Sequence, residues 1–256
     1  MSDFRAHCLP TETTPTTLRL NPDESHHLVV VNRARIGAKV VAFDGRGTEW
    51  DCDLVSDSKN AAVLKVRDTR RAPPLSHAIT LAQALPKGTG MDGIVRKATE
   101  IGVARIVPVI SERTQVHLEG ERQDKKIEKW RIAALEAAKQ CGNPWLPEIA
   151  PLQSLNAFLA ANYAERSTKD YDLKLVASLH PGARSVKTLF ANATAALGHA
   201  PRRVLWLIGP EGDFSPEEIE TALRAGFVPA TLGSLVLRCE TAAIYALSVT
   251  AHELAL

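Results

Sequence analysis

Arg203-Val204-Leu205-Trp206-Leu207-Ile208-Gly209-Pro210-Glu211-Gly212-Asp213-Phe214-Ser215-Pro216-Glu217-Glu218 is the stretch on which the fold turns. Val204 to Ile208 is a continuous apolar run, the pattern of a parallel strand buried on both faces. The run ends in a Gly-Pro-Glu-Gly turn. Ser215 then stands as an N-cap, Pro216 takes the first helical position and Glu218 closes a capping box, so a helix begins there. Ile219 and Leu223 are predicted to face inward, and Gly226 ends the helix. A strand over Phe227–Leu232 follows. Strand, turn, helix, strand is the unit of a parallel α/β sheet. Ligands of open α/β sheets gather at the carboxyl ends of strands, where this turn lies. Gly209 and Gly212 let the backbone bend sharply and come close to a ligand. An ordinary strand–turn–helix join explains the same composition.

The alternation extends upstream. A strand over Ile79–Ala84 precedes a helix near Met91–Gly102, with Ile94, Ala98 and Ile101 on one face. The strand Arg105–Ile110 leads to a long helix, about Gln123–Gln140. Its Ile127, Trp130, Ala134, Ala137 and Cys141 fall at three- and four-residue spacing. Leu173–Ser178 is a further strand. Downstream, Ile244, Leu247, Ala251 and Leu254 mark one face of a last helix. Before residue 70 the pattern is β: Leu28–Val31, Lys39–Phe43, Trp50–Leu54 and Ala61–Val66 read as strands, with Asp44-Gly45-Arg46-Gly47 as a turn. Four or five strands in so short a segment predict a small barrel. Arg70-Arg71-Ala72-Pro73-Pro74-Leu75 reads as an extended linker. The expected domains are therefore a β-barrel over 1–72 and an α/β domain over 73–256.

Composition narrows the function. In 256 residues, 45% are hydrophobic and 23% charged, as in ordinary globular proteins. No apolar run approaches the roughly 20 residues of a membrane helix. Met1 to Arg5 lacks the apolar core of a signal peptide. Cys8, Cys52, Cys141 and Cys239 are scattered, with no C-x-x-C pair, which argues against zinc and disulfides and for a reducing cytoplasm. No metal is expected. The net charge is +2, from 31 Lys+Arg against 29 Asp+Glu, and neither requires nor excludes a nucleic-acid partner.

Gly88-Thr89-Gly90-Met91-Asp92-Gly93 fits the dinucleotide fingerprint G-x-G-x-x-G, and Glu112 stands near the place of a ribose-binding acid. Pro86-Lys87 separates the strand from the glycines, a β domain precedes the unit, and Asp92 would repel a pyrophosphate. A loop opening a helix is the better reading. A nucleotide-dependent oxidoreductase stays as the rival it would imply. The segment Leu232-Gly233-Ser234-Leu235-Val236-Leu237-Arg238-Cys239-Glu240-Thr241-Ala242-Ala243 places Arg238 and Glu240 at a helix N-terminus, as an exposed ion pair or as site residues.

Together these segments resemble the SPOUT methyltransferases, and among them the 16S ribosomal RNA uracil-N3 methyltransferases (small-subunit methyltransferase E). The resemblance spans nearly the whole chain. His26-His27-Leu28, Asn32-Arg33 and Phe43-Asp44-Gly45-Arg46-Gly47 are similar to the family's N-terminal PUA-like domain. Lys87-Gly88, Lys97 to Val103 and Pro108 to Arg113 match a central block, and Trp130-Arg131-Ile132 with Glu136 to Gly142 match a long-helix block. Gly209 to Gly212 and Leu237-Arg238 with Glu240-Thr241-Ala242 complete the series. The chain departs at Asp213, where a third Gly is common, and at Asn143 and Leu235, where Arg is frequent.

The resemblance implies a PUA-like barrel followed by an α/β domain whose C-terminal part, about 178–245, forms a deep trefoil knot. It implies S-adenosylmethionine held by three loops near a homodimer interface. Their residues are Leu179, His180 and Pro181; Ile208, Gly209, Pro210, Glu211 and Gly212; and Leu232, Gly233, Leu235, Leu237 and Arg238. The implied reaction methylates N3 of a uracil in helix 44 of 16S rRNA, within the small ribosomal subunit. Arg238 is the candidate to stabilise the uracil anion, with Arg113 second, and Glu240 is the candidate base or a partner that orients Arg238. Arg5, Arg19, His27, Arg33, Lys87 and Lys97 are candidate phosphate contacts, although a solvated surface charge explains each one alone. No membrane partner is implied. A ribose 2′-O-methyltransferase of the same class, and a non-catalytic ribosome-assembly factor with this fold, are the alternatives.

Overall fold

The structure, a computed structural model, describes residues 4–9, 14, 16–116, 120–163, 170–179 and 182–255. The chain clusters into two compact units, Met1–Pro74 with Leu135–Leu146, and Leu75–Ala134 with Pro147–Leu256.

In the first unit, β1 (Phe4–His7), β2 (Thr17–Arg19), β3 (Lys39–Phe43), β4 (Thr48–Ser56) and β5 (Val63–Arg71) form one sheet in the order β1-β3-β4-β5-β2. The path is open, so the expected barrel is a curled half-barrel with β1 and β2 at its edges. Leu18, Leu20, Leu28, Leu54 and Leu64 fill its core. The β3–β4 turn is shaped by Asp44, whose Oδ1 accepts from the amides of Arg46 (2.7 Å) and Thr48 (2.9 Å). Gly47 is required there: its φ is +92°, and a Cβ would lie 2.3 Å from a ring carbon of Trp145. The sheet also carries a ladder of ion pairs. Arg5 meets Glu49 at 2.8 Å, Arg70 joins Glu49 and Asp51, and Lys39 and Arg67 share Asp53. A hydrogen bond from Lys39, helped by Arg67, holds the Asp53 carboxyl below its usual range.

One expectation fails here. Leu28–Val31 is no strand: the helix Pro22–His26 runs into a π-helical turn over His27–Val31. Asn21 caps the helix by accepting from the Glu24 amide at 2.9 Å, Pro22 opens it, and Asp23 and Glu24 favour its positive end. That nucleus overrides the β preference of Val29-Val30-Val31. The turn buries Leu28 and Val29 and leaves Val30 and Val31 exposed.

The second unit holds β6 (Ala78–Ala84), β7 (Arg105–Ile110), β8 (Glu148–Ile149), β9 (Gln153–Ser154), β10 (Leu173–Ala177), β11 (Arg184–Ser185), β12 (Arg203–Ile208) and β13 (Val228–Thr231). They form one parallel sheet in the order β11-β13-β10-β12-β6-β7-β8, with β9 also on β7. Helices cover both faces. Gly90–Ile101, the first part of Glu121–Cys141, Val186–Leu197 and Cys239–Ala255 pack on one face. Leu155–Ala161 and Pro216–Arg224 pack on the other. Burial on both sides explains why β12 reads as an unbroken apolar run. Its Trp206 is fully buried, and the indole N–H donates to Thr250 Oγ1 at 2.8 Å. Among the described residues no helix is long and apolar enough to cross a membrane.

Two predicted helix faces shift. In Pro216–Arg224 the buried positions are Glu218 and Ala222, Ile219 is half-buried against the core as expected, and Leu223 is exposed. In Cys239–Ala255 the fully buried face is Ala243, Ala246, Leu247 and Thr250, with Ile244, Ala251 and Leu254 only half-buried. Small side chains let a helix approach the sheet closely, so alanines outrank the larger apolar residues at the contact. Ser215 caps its helix as read: its amide donates to Glu218 Oε2 at 2.9 Å, and its Oγ accepts from the Glu218 amide.

A candidate site at the carboxyl ends of the central strands

All strands of the second unit run parallel, so the carboxyl ends of β10, β12 and β13 lie along one edge of the sheet. The segments leaving those ends enclose a cavity of about 340 Å³. That is within the usual range of about 300–1,000 Å³ for small-molecule sites. The predicted residues Leu179, Ile208, Gly209, Pro210, Glu211, Leu232, Gly233, Leu235, Leu237 and Arg238 line it. Gly212 does not, and His180 and Pro181 lie outside the described residues. Val236, inside the predicted third loop, lines it too, and sequence reasoning missed Ala177, Ser178, Asp213, Cys239 and Ala242 as lining residues. Each adjoins a motif already singled out. Ala242 is one helical turn beyond Arg238, and its amide donates to the Arg238 carbonyl at 2.8 Å.

The Gly-Pro-Glu-Gly turn is tightly determined. A Cβ on Gly209 would stand 3.3 Å from Asp213 Oδ1 and 3.4 Å from the Phe214 ring, so the position has little spare room. Asp213 adopts φ +58°, a left-handed conformation that explains why glycine suits this place. Its carboxylate compensates by accepting from the Phe214 amide at 2.8 Å. Such local bonding is what makes Asp tolerable at positive φ.

Other loops of the same unit hold the turn from outside. Glu211 Oε1 accepts from the Lys87 amide at 2.8 Å. Arg113 Nη1 donates to the Gly212 carbonyl at 2.9 Å. Glu218, already closing the capping box, accepts from the Glu112 amide at 2.7 Å through its other oxygen. Arg113 therefore braces the turn from outside the cavity. Glu240 is half-buried and also off the cavity wall. Its Oε2 accepts from Cys239 Sγ at 3.3 Å, and its Oε1 is where a Cβ on Gly90 would collide, at 2.7 Å. Burial pushes the Cys239 thiol up to about 12, with Glu240 and Glu211 adding to it, so Cys239 is a neutral wall and no nucleophile. Arg238 is exposed at the start of the last helix, beside the opening. Leu235 and Val236 are the most exposed large apolar side chains described, at 74% and 81%.

The cavity suits S-adenosylmethionine. Its wall is mostly apolar and backbone, matching an adenine face, and Glu211 and Asp213 offer acceptors to hydroxyl or ammonium groups. No group of three potential metal ligands occurs among the described residues.

The candidate RNA contacts fall into two sets. Arg19, Arg33, Lys87 and Lys97 are exposed and form no ion pair with a described carboxylate. Arg5 is bound to Glu49 and lies over the Phe43 ring at 5.0 Å. His27 is half-buried, with Nε2 3.5 Å from Glu136.

Comparison with known proteins follows the same outline. Residues 73–251 match the model of the RNA methyltransferase domain, and residues 20–67 match the RNA methyltransferase PUA domain. Over 238 residues the chain is 29% identical to the ribosomal RNA small subunit methyltransferase E of Bacillus subtilis, covering 93% of this chain and 90% of the relative. The Aquifex aeolicus protein of the same name is 32% identical, over 90% and 86% of the two chains. Among solved structures, a putative methyltransferase of Legionella pneumophila with bound S-adenosylmethionine superposes with a TM-score of 0.85, at 32% identity and 97% coverage of both chains. A Neisseria gonorrhoeae small subunit methyltransferase E bound to S-adenosylmethionine gives 0.84, at 28% identity and 97% coverage of both chains.

Proposed function

The chain belongs to the ribosomal RNA small subunit methyltransferase E family, and from that membership we propose that it methylates N3 of a uracil in 16S rRNA, using S-adenosylmethionine. The observation that carries the reading is the cavity at the ends of β10, β12 and β13 with Arg238 at its mouth. When bound there, S-adenosylmethionine supplies an electrophilic methyl group on a sulfonium sulfur.

The chain's part is to place the uracil and to favour its anion. Uracil N3–H is a weak acid, comparable to a tyrosine phenol at about 10. The nitrogen must lose this proton before it can attack. Arg238, permanently charged, stabilises the developing charge on O2 or O4. Glu240, two residues on, orients the arginine or accepts the proton. The exposed apolar rim of Leu235 and Val236 supports the further proposal that a second copy of the chain packs beside the cavity and, by covering that rim, excludes water from the reacting groups. Threading of 178–245 as a trefoil knot belongs to the same proposal. Exposed Arg19, Arg33, Lys87 and Lys97 are the proposed phosphate contacts.

Nucleoside analysis of 16S rRNA, together with primer extension, tests this. Cells lacking the gene lose 3-methyluridine and the reverse-transcriptase stop it causes, and purified protein with S-adenosylmethionine restores both. R238A fails to restore them while still binding S-adenosylhomocysteine. Appearance of 2′-O-methyluridine instead would overturn the N3 assignment.

A further inference from the structure

The segment Pro86-Lys87-Gly88-Thr89-Gly90, whose glycines mimic a nucleotide loop, touches the candidate site at two points. At one end the Lys87 amide donates to Glu211 Oε1 at 2.8 Å, and Glu211 lines the cavity. At the other, Gly90 meets Glu240 so closely that a Cβ would stand 2.7 Å from Oε1. Glu211 and Glu240 come from two different segments around the cavity, so this one loop bridges both. Its one charged side chain, the Lys87 ammonium, is exposed and has no described ion-pair partner.

We propose that Glu211 is a positioning residue that couples the Pro86–Gly90 loop to the cofactor cavity, so that RNA phosphate held by Lys87 and cofactor held by the cavity strengthen each other's binding. The inference rests on the RNA-methyltransferase reading above. Its physical basis is reciprocity: a loop fixed by one ligand costs the other less to order. The carboxylate acts here as a hydrogen-bond acceptor, not through a proton it gives or takes. A glutamine keeps an acceptor at the same place, and an alanine does not. Gly90 offers an independent perturbation, because alanine at the first turn of a helix favours the helix while pushing against Glu240.

Binding is measured by equilibrium dialysis of labelled S-adenosylhomocysteine, which cannot react, with and without small ribosomal subunits from cells lacking the gene. The parent protein binds it at least about fivefold more tightly when subunits are present, the lower end of ordinary coupling. E211A loses that enhancement and binds about fivefold more weakly, the scale of an ordinary hydrogen bond whose acceptor need not be charged. E211Q recovers most of both. G90A, whose Cβ would press on Glu240 Oε1 and on the Pro86 ring, also reduces the enhancement. Failure of E211Q to recover what E211A loses would show that Glu211 acts through its charge and overturn the proposal. An E211A that keeps the enhancement would overturn it too, as would a parent that shows none. Parent protein that transfers no methyl to the subunits is a different result, since it defeats the functional reading itself.

Discussion

Lys139 offers the sharpest test of how the first unit is held together. Its Nζ lies 2.7 Å from Glu24 Oε1 and 2.8 Å from Glu136 Oε1. The Lys139 and Glu24 side chains are only 6% and 8% exposed, whereas Glu136 is 43% exposed. The other oxygen of Glu24 accepts from the His7 amide at 2.9 Å. Replacing Lys139 with methionine keeps the packing volume but leaves the Glu24 charge buried with one neutral donor. Breaking a buried pair this way costs about 3–5 kcal/mol. For a domain of this size that lowers the melting temperature by roughly 12 °C or more. E24Q is milder, about 1–2 kcal/mol, because the amide still serves His7 and Lys139 keeps Glu136. The double variant E24Q/K139M should then be more stable than K139M alone, since no uncompensated charge remains. Thermal melting, with hydrogen exchange over Pro22–Val31 and Leu135–Leu146, reads both global and local loss. A K139M protein within about 1 kcal/mol of the parent, or strictly additive single effects, would refute the reasoning.

Three further outcomes follow from the packing and electrostatics. G47A should destabilise the first unit by about 2–3 kcal/mol in denaturant titration, because alanine is strained at φ +92° and would overlap Trp145. Burial lowers the His77 pKa from its ordinary 6.5, so the unfolded chain takes up that proton first. The stability His77 contributes is present above pH 6.5 and is lost as the pH falls through its folded value, and H77F should flatten that part of a pH–melting curve. R19A/R33A should weaken rRNA binding and lower the slope of log K against log salt by about 0.7–0.9 for each phosphate the protein no longer neutralises, whereas R5A should reduce melting temperature and leave the slope unchanged.

Capping chemistry was the most legible part of the fold. Ser215, Pro216 and Glu218 announce a helix through bonds made within four residues, and the structure contains them. Buried parallel strands were equally plain, because burial on both faces leaves an apolar run. Leu28–Val31 misled because its β preference is settled by Asn21, which nucleates a helix seven residues upstream of Leu28. The edge strands β1 and β2, at 4 and 3 residues, are too short to show alternation. Within the site, the Gly-Pro-Glu-Gly turn could be read as a strand-end turn from its own residues, while the three cofactor loops as a set came from the family resemblance. The braces could not. Glu211 meets the Lys87 amide across 124 residues and Arg113 meets the Gly212 carbonyl across 99, and nothing in a local pattern encodes such partners. Arg113, the second candidate cation, thus has a bracing bond to the Gly212 carbonyl through Nη1 that its sequence neighbours do not announce.

The same distinction between paired and unpaired charge explains why a net charge of +2 was so uninformative for a chain whose family modifies ribosomal RNA. Arg5, Lys39, Arg67 and Arg70 are matched on the first unit's sheet by Glu49, Asp51 and Asp53. Charges a hydrogen-bond length apart largely cancel at a distance, so these four cations and three carboxylates leave a net charge of only +1 in the field a polyanion feels. Arg19, Arg33 and Arg35 are exposed without such partners, and their field is not cancelled nearby. Counting residues weights both sets equally, but binding weights only the second. Arg33 moreover stands two residues after the π-helical turn, at φ +58°. Where the unpaired arginines stand is a property of the fold that a near-neutral total cannot reveal.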